Sequence, residues 1–68
     1  MNLAYFVDRN GKHVVRSTLF YAGMIPLCLK IKDWCDEVWP ERDWQYADHG
    51  IFYFETEAEV GLFMMRWG

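Results

Sequence analysis

Four side chains of the 68-residue sequence carry the imidazole or thiol groups that most often bind metals or act as nucleophiles: His13, Cys28, Cys35 and His49. Metal sites usually pair such ligands at short spacings, Cys-x-x-Cys or His-x-x-x-His, and neither spacing occurs here. The two histidines fall in different predicted turns, where an imidazole is an ordinary surface group. We therefore predict no metal site and no cofactor.

The two cysteines are seven positions apart. If both lie on one helix, they are about 10 Å apart along its axis, which is too far for a disulfide bond. Cys28 lies near the start of that predicted helix, a position that can activate a thiol, but its neighbours Leu27 and Leu29 are apolar. We expect two buried, unreactive thiols in a reducing compartment.

Six carboxylates occur in two groups, which are Asp33, Asp36 and Glu37, and Glu55, Glu57 and Glu59. Paired carboxylates act as general acids and bases only in a desolvated cleft. The first group lies on the polar side of a predicted helix and the second at the start of another, where solvation and capping explain them. Because no catalytic constellation remains, we predict a protein that is not an enzyme.

Aromatic residues make up 19% of the chain, and the formal net charge is −3. The rings of Trp44, Tyr46, Phe52 and Phe54 could stack on nucleic-acid bases, but phosphate binding requires clustered basic residues. Arg42 is the only basic residue near them, among four acidic ones. Binding of single-stranded nucleic acid is therefore disfavoured.

The chain begins with a predicted β-hairpin. Residues 3–7 and 12–16 are β-prone, and they flank Asp8-Arg9-Asn10-Gly11, a strong turn signal. The following residues 17–24 are ambiguous, because they could extend the second strand or form one helical turn that ends at Gly23.

A helix is predicted over residues 25–39. Pro26 suits its first turn, and Pro40 ends it. One face carries apolar side chains at helical spacing, namely Leu27, Cys28, Ile31, Trp34, Cys35 and Val38.

A second hairpin is predicted after the charged connector Pro40-Glu41-Arg42-Asp43. Residues 44–47 and 51–54 form its strands, around the turn Asp48-His49-Gly50. Both faces of residues 51–54 are apolar, so we expect this strand either to be central in the sheet or to be covered on both faces.

The last predicted helix starts with Thr56 as N-cap and Glu59 at the third helical position, a capping box, and runs to about Trp67. It is apolar on nearly every side, although a helix in a two-layer domain should meet water on one face. Leu62 and Met65 lie off its main apolar face, so we expect them either to pack on a second chain or to be enclosed by neighbouring elements.

These elements predict a single small α+β domain over residues 1–68 in the order ββαββα, with two helices on one face of an antiparallel sheet. The longest apolar stretch has 11 residues, against about 20 for a membrane-spanning helix. The opening Met1-Asn2-Leu3 lacks the basic region of a signal peptide. We expect a cytoplasmic protein.

Residues 33–67 resemble small uncharacterised proteins of tailed bacteriophages, including marine and cyanobacterial phages of the T4-like group. Four segments carry the resemblance, namely Trp34-Cys35-x-Glu37, Trp44, Ile51-Phe52-Tyr53-Phe54 and Glu57-Ala58-x-x-x-x-Phe63-x-x-Arg66-Trp67. The chain departs from this pattern at Glu59-Val60, where the phage proteins have Asp-Ala. The resemblance implies a viral source and the cytoplasm of a bacterial host, where short phage proteins often bind host or viral proteins.

The aromatic run of Trp34, Trp39, Trp44 and Tyr46 is consistent with core packing and, about equally, with an interaction patch. We predict that Trp39, Trp44 and Tyr46 contact a host or viral protein partner, and that Leu62 and Met65 mediate self-association. A structural homo-oligomer without a host target is the alternative.

Overall fold

The computed structural model describes residues 2–41, 43–47 and 49–68. Their order is ββαββα, with a short 3₁₀ turn, Ala22–Met24, before the first helix. The strands are β1 Leu3–Val7, β2 His13–Ser17, β3 Gln45–Ala47 and β4 Ile51–Phe54, and the helices are α1 Ile25–Val38 and α2 Glu57–Trp67.

All four strands form one antiparallel sheet in the order β1-β2-β4-β3. The predicted α+β class is confirmed, and β4 is a central strand, which is one of the two alternatives for it. β2 and β4 pair in the middle of the sheet, where Val15 lies opposite Phe52. β1 and β3 are the two edge strands.

The turn between β1 and β2 forms where the sequence predicts it. One carboxylate oxygen of Asp8 accepts hydrogen bonds from the backbone N–H groups of Asn10 and Lys12, both at 2.9 Å. Gly11 has a φ of +81°, in the left-handed region that favours glycine. The side chain of Asp8 thus supports the turn locally before any tertiary contact is made.

Residues 17–24 follow neither alternative as predicted. Ser17 is the last residue of β2, and its hydroxyl donates a hydrogen bond of 2.6 Å to the carbonyl of Leu19. The helical turn follows later, after Tyr21, and Gly23 lies inside it rather than at its end. The turn then leads directly into α1.

Both helices have the expected boundaries within one residue. α1 ends at Val38, one residue before the predicted end, and the backbone N–H of Trp39 caps it by donating to Cys35 at 2.8 Å. α2 has the predicted capping box, in which Thr56 and Glu59 bond each other's backbone N–H groups. These helices follow local signals.

The second hairpin differs from the prediction at its start. β3 begins at Gln45, and Trp44 precedes the strand. Two residues assigned by the sequence to the connector and the turn, Arg42 and Asp48, lie outside the described residues.

One hydrophobic core lies between the helices and one face of the sheet. Its buried members are Val15, Ile31, Cys35, Trp44, Phe52, Phe54, Val60 and Phe63. The opposite face carries Phe6, Val14 and Tyr53 in one cross-strand row. Val14 is buried between these two larger side chains.

Candidate functional site

The histidines, cysteines and carboxylates are dispersed over the fold. Within the described residues, no three His, Cys, Asp or Glu side chains lie close enough together to hold a metal ion. His13 in β2 bonds the hydroxyl of Tyr5 through Nδ1 at 2.7 Å, whereas the ring of His49 contacts Phe20 at 5.3 Å between centroids. The two imidazoles therefore belong to separate surfaces.

Both thiols are buried and free. Burial, together with the nearby charge of Asp36, raises the pKa of the Cys35 thiol to about 12. At neutral pH this group is protonated, and a thiol rather than a thiolate is a poor nucleophile. Cys35 is therefore a core residue.

The buried carboxyl group of Glu59 is explained by its capping role. It accepts hydrogen bonds from the backbone N–H groups of Glu55 and Thr56, at 3.1 and 3.0 Å. Burial raises the pKa of Glu59, and a hydrogen bond with the carboxyl group of Asp43 raises this pKa further. Because its oxygens already serve the start of α2, this pair is part of the helix cap.

Trp44 does not lie on a partner surface, and this part of the prediction is wrong. Only 1% of its surface is exposed, and its indole Nε1 donates a hydrogen bond of 3.2 Å to the carbonyl of Trp39. The charged connector beside it suggested exposure. The fold instead directs the ring inward, where a large aromatic side chain buries the most apolar area.

The other two predicted partner residues are half-buried and pack on the core. The ring of Trp39 contacts Phe54 at 5.4 Å, and the ring of Tyr46 contacts Phe52 at 4.8 Å. Most of the aromatic run therefore serves packing. Trp34, Trp39 and Tyr46 are each half-buried, so that only their outer parts are accessible.

Leu62 and Met65 lie on the outer side of α2, with 43% and 87% of their surfaces exposed. Neighbouring elements do not enclose them. Their role in self-association stays a prediction.

An apolar groove lies at one end of the domain, between α1 and the turn of the second hairpin. It has a volume of about 400 Å³, within the roughly 300–1,000 Å³ typical of ligand pockets. Its lining residues are Phe20, Ile25, Cys28, Leu29, Tyr46 and His49, and we call it the α1–hairpin groove.

Three structural features position this lining. The backbone N–H of Ser17 donates to the carbonyl of Gly50 at 3.1 Å, which joins the end of β2 to the second hairpin. At Gly50 a side chain would come within 3.3 Å of the Phe20 ring, so the glycine leaves room for that ring. Ile25 and Leu29 are one helical turn apart and form the opposite wall.

The groove lies at the basic end of α1. The first eight residues of the helix, 25–32, include two lysines and no acidic residue, whereas residues 33–38 include three acidic residues. The ammonium group of Lys32 lies 5.4 Å from the centroid of the Tyr46 ring, so positive charge borders the apolar lining.

Of the residues that line the groove, the sequence predicted a partner contact for Tyr46 alone. It placed Cys28 on the core face of α1, and the structure shows that its side chain also forms part of the groove floor. The signal that could have revealed the groove is the apolar pair Ile25 and Leu29, which lies off the core face of α1. Phe20 fell in the segment that remained ambiguous.

A smaller cavity of about 270 Å³ borders the same segment of the chain and, among the described residues, shares no lining residue with the groove. Leu19 and Tyr21 line it and are largely exposed. The segment between the first hairpin and α1 therefore contributes apolar side chains to both the groove and this cavity.

Comparisons of the chain with known protein families, with curated proteins and with solved structures find no match. Among the described residues, no helix is long and apolar enough to cross a membrane.

Proposed function

We propose that this chain is a non-enzymatic protein-binding domain of a tailed bacteriophage, acting in the cytoplasm of an infected bacterium by binding a host or viral protein. The resemblance over residues 33–67 supports the phage origin. The α1–hairpin groove is the observation that supports binding, because it is an accessible concave apolar surface on a small domain.

The groove suits a protein partner that inserts one large apolar side chain beside an acidic residue. Its volume accommodates such a side chain, and its rings provide the flat apolar contacts that dominate many interfaces. The lysines at this end of α1 favour a carboxylate next to the inserted side chain. This chemistry replaces the surface that the sequence predicted around Trp44.

Leu29 is the best position for a test, because 52% of its surface is exposed and it lies on the groove wall. Lysine has nearly the same helix propensity as leucine, so Leu29→Lys should leave α1 intact. We expect this variant to bind the partner at least about tenfold more weakly, since a charge in the groove opposes insertion of an apolar group. Met65→Lys, which alters an exposed apolar residue outside the groove, should bind like the wild type.

The measurement has two stages. Tagged wild-type protein and both variants are first used to capture proteins from bacterial and phage-infected lysates, with identification by mass spectrometry. A candidate partner is then purified and titrated against all three proteins. A partner that binds Leu29→Lys as tightly as the wild type, or the absence of any captured partner, would contradict the proposal.

A further inference from the structure

The outer edge of β1 is open: within the described residues, β1 pairs only with β2. Its sequence, Leu-Ala-Tyr-Phe-Val, contains no charged residue and no proline. Tyr5, Phe6 and Val7 are 40%, 46% and 52% exposed. Soluble proteins usually protect such an edge with charge, proline or very short strands, and β1 has none of these protections.

The backbone hydrogen bonds at both ends of β1 show which of its backbone groups point outward. The N–H of Thr18 donates to the carbonyl of Asn2 at 3.0 Å, and the N–H of Asp8 donates to the carbonyl of Lys12 at 2.9 Å. In an antiparallel ladder, bonded residues alternate with residues whose N–H and C=O groups point away. Three residues of β1 therefore direct these groups to the open edge: Leu3, Tyr5 and Val7.

We infer that β1 pairs with β1 of a second copy of this chain, which would join two four-stranded sheets into one of eight strands. An antiparallel pairing centred on Tyr5 places each Leu3 opposite Val7 of the second copy. The outward N–H and C=O groups of Leu3, Tyr5 and Val7 in each strand then find partners. The side chains of Ala4 and Phe6 lie on the other face of the sheet, where Phe6 is opposite the small Ala4 of the second copy, which leaves room for its ring.

A second copy fits this edge better than an unrelated strand because the pairing is self-complementary. No charges oppose each other along the five residues, and Asn2 lies opposite Asp8 at both ends of the register. A two-fold axis through Tyr5 closes the assembly at two chains, as is usual for homodimers.

The other edge of the sheet is less suitable. β3 has three residues, against five in β1. The predicted contact through Leu62 and Met65 is also weaker in principle, because the backbone of α2 is already bonded within the helix. Dimerisation through β1 uses a surface distinct from the α1–hairpin groove, so it can fail or succeed independently of the proposed function.

Amide hydrogen exchange of the wild-type chain tests the pairing directly. At low concentration the amides of Ala4 and Phe6 should be protected, because they bond β2, whereas those of Leu3, Tyr5 and Val7 should exchange freely. At about 1 mM chain, the three outward amides should exchange at least about tenfold more slowly. Unchanged exchange of these three amides would overturn the inference.

Charge substitution at the two-fold axis provides an independent test. Tyr5→Lys and Tyr5→Glu each place like charges opposite each other in a homodimer, so light scattering should give the 8.2 kDa mass of one chain for either variant alone. Their mixture should give twice that mass. Met65→Lys is the control and should dimerise like the wild type; dissociation of Met65→Lys with an intact Tyr5→Lys dimer would assign the interface to α2 instead.

Discussion

The side chain of Trp44 helps to hold the end of α1 against the second hairpin. Its ring lies within the hydrophobic core, and its indole N–H bonds the carbonyl of Trp39 just after α1 ends. The indole therefore links the end of α1 to the start of the second hairpin.

Trp44→Ala should lower the free energy of unfolding by about 3–5 kcal/mol, because it removes a large buried ring and leaves a cavity. For a domain of this size such a loss is a large part of its total stability. Urea unfolding followed by circular dichroism measures the effect, and Met65→Ala on the surface should change stability by no more than about 0.5 kcal/mol. A Trp44→Ala variant as stable as the wild type would show that this ring is not part of the core.

The carboxyl group of Glu59 stabilises the start of α2 but is itself buried, and these two effects on stability oppose each other. Its carboxyl group caps α2, yet burial and Asp43 raise its pKa above the value in the unfolded chain. Between these two pKa values the folded state binds more protons than the unfolded state, so stability is lost as the pH rises through this interval.

Glu59→Gln should remove this pH-dependent loss. Glutamine can still accept the N–H of Thr56 and can donate to Asp43. The stability of the variant relative to the wild type should therefore increase between pH 4 and pH 7, measured by urea unfolding at both values. Glu57→Gln, at an exposed position of the same helical turn, is the control and should show no such increase. If Glu59→Gln instead becomes relatively less stable at pH 7, the pKa of Glu59 is not raised by folding.

At the scale of elements, each turn and helix start carries its own local support. The Asp8 side chain stabilises the first turn, and the capping box stabilises the start of α2. Glycine has opposite effects in these two kinds of element, since it is favoured at positive φ and disfavoured inside a helix.

The same substitution at two glycines should therefore change stability in opposite directions. Gly11→Ala should destabilise the domain by roughly 1–2 kcal/mol, because alanine at a φ of +81° is strained. Gly61→Ala should stabilise it by about 0.5–1 kcal/mol, because a Cβ at this position of α2 meets no atom within 4 Å. Thermal unfolding of both variants provides the comparison. If Gly61→Ala is destabilised instead, the added methyl group must clash with a nearby atom, which would contradict the open surroundings of Gly61.

At the scale of the whole molecule, a two-layer fold of 68 residues leaves much apolar surface accessible. Both helices cover one face of the sheet. The α1–hairpin groove, the open edge of β1 and the outer side of α2 remain exposed. The first is the proposed partner site and the second is the proposed dimer interface.

Local sequence determined the elements of this protein and their order. The turn at Asp8–Gly11, the periodic apolar face of α1 and the capping box at Thr56 each depend on residues within a few positions of one another. Such signals act through short-range backbone geometry and hydrogen bonding, so they can be recognised without knowledge of the fold. The two apolar faces of β4 also indicated a strand that is central or covered on both faces, and β4 is central in the sheet.

Tertiary structure decided which aromatic side chains are accessible and where the groove lies. Trp44 and Tyr46 are two positions apart, yet only Trp44 is fully buried, because burial depends on which elements pack around each ring. The rings of Phe20 and His49 are in contact because the backbone N–H of Ser17 at the end of β2 bonds the carbonyl of Gly50 in the neighbouring hairpin. A surface formed by residues so distant in the chain exists only once the strands have paired, and no local pattern encodes it.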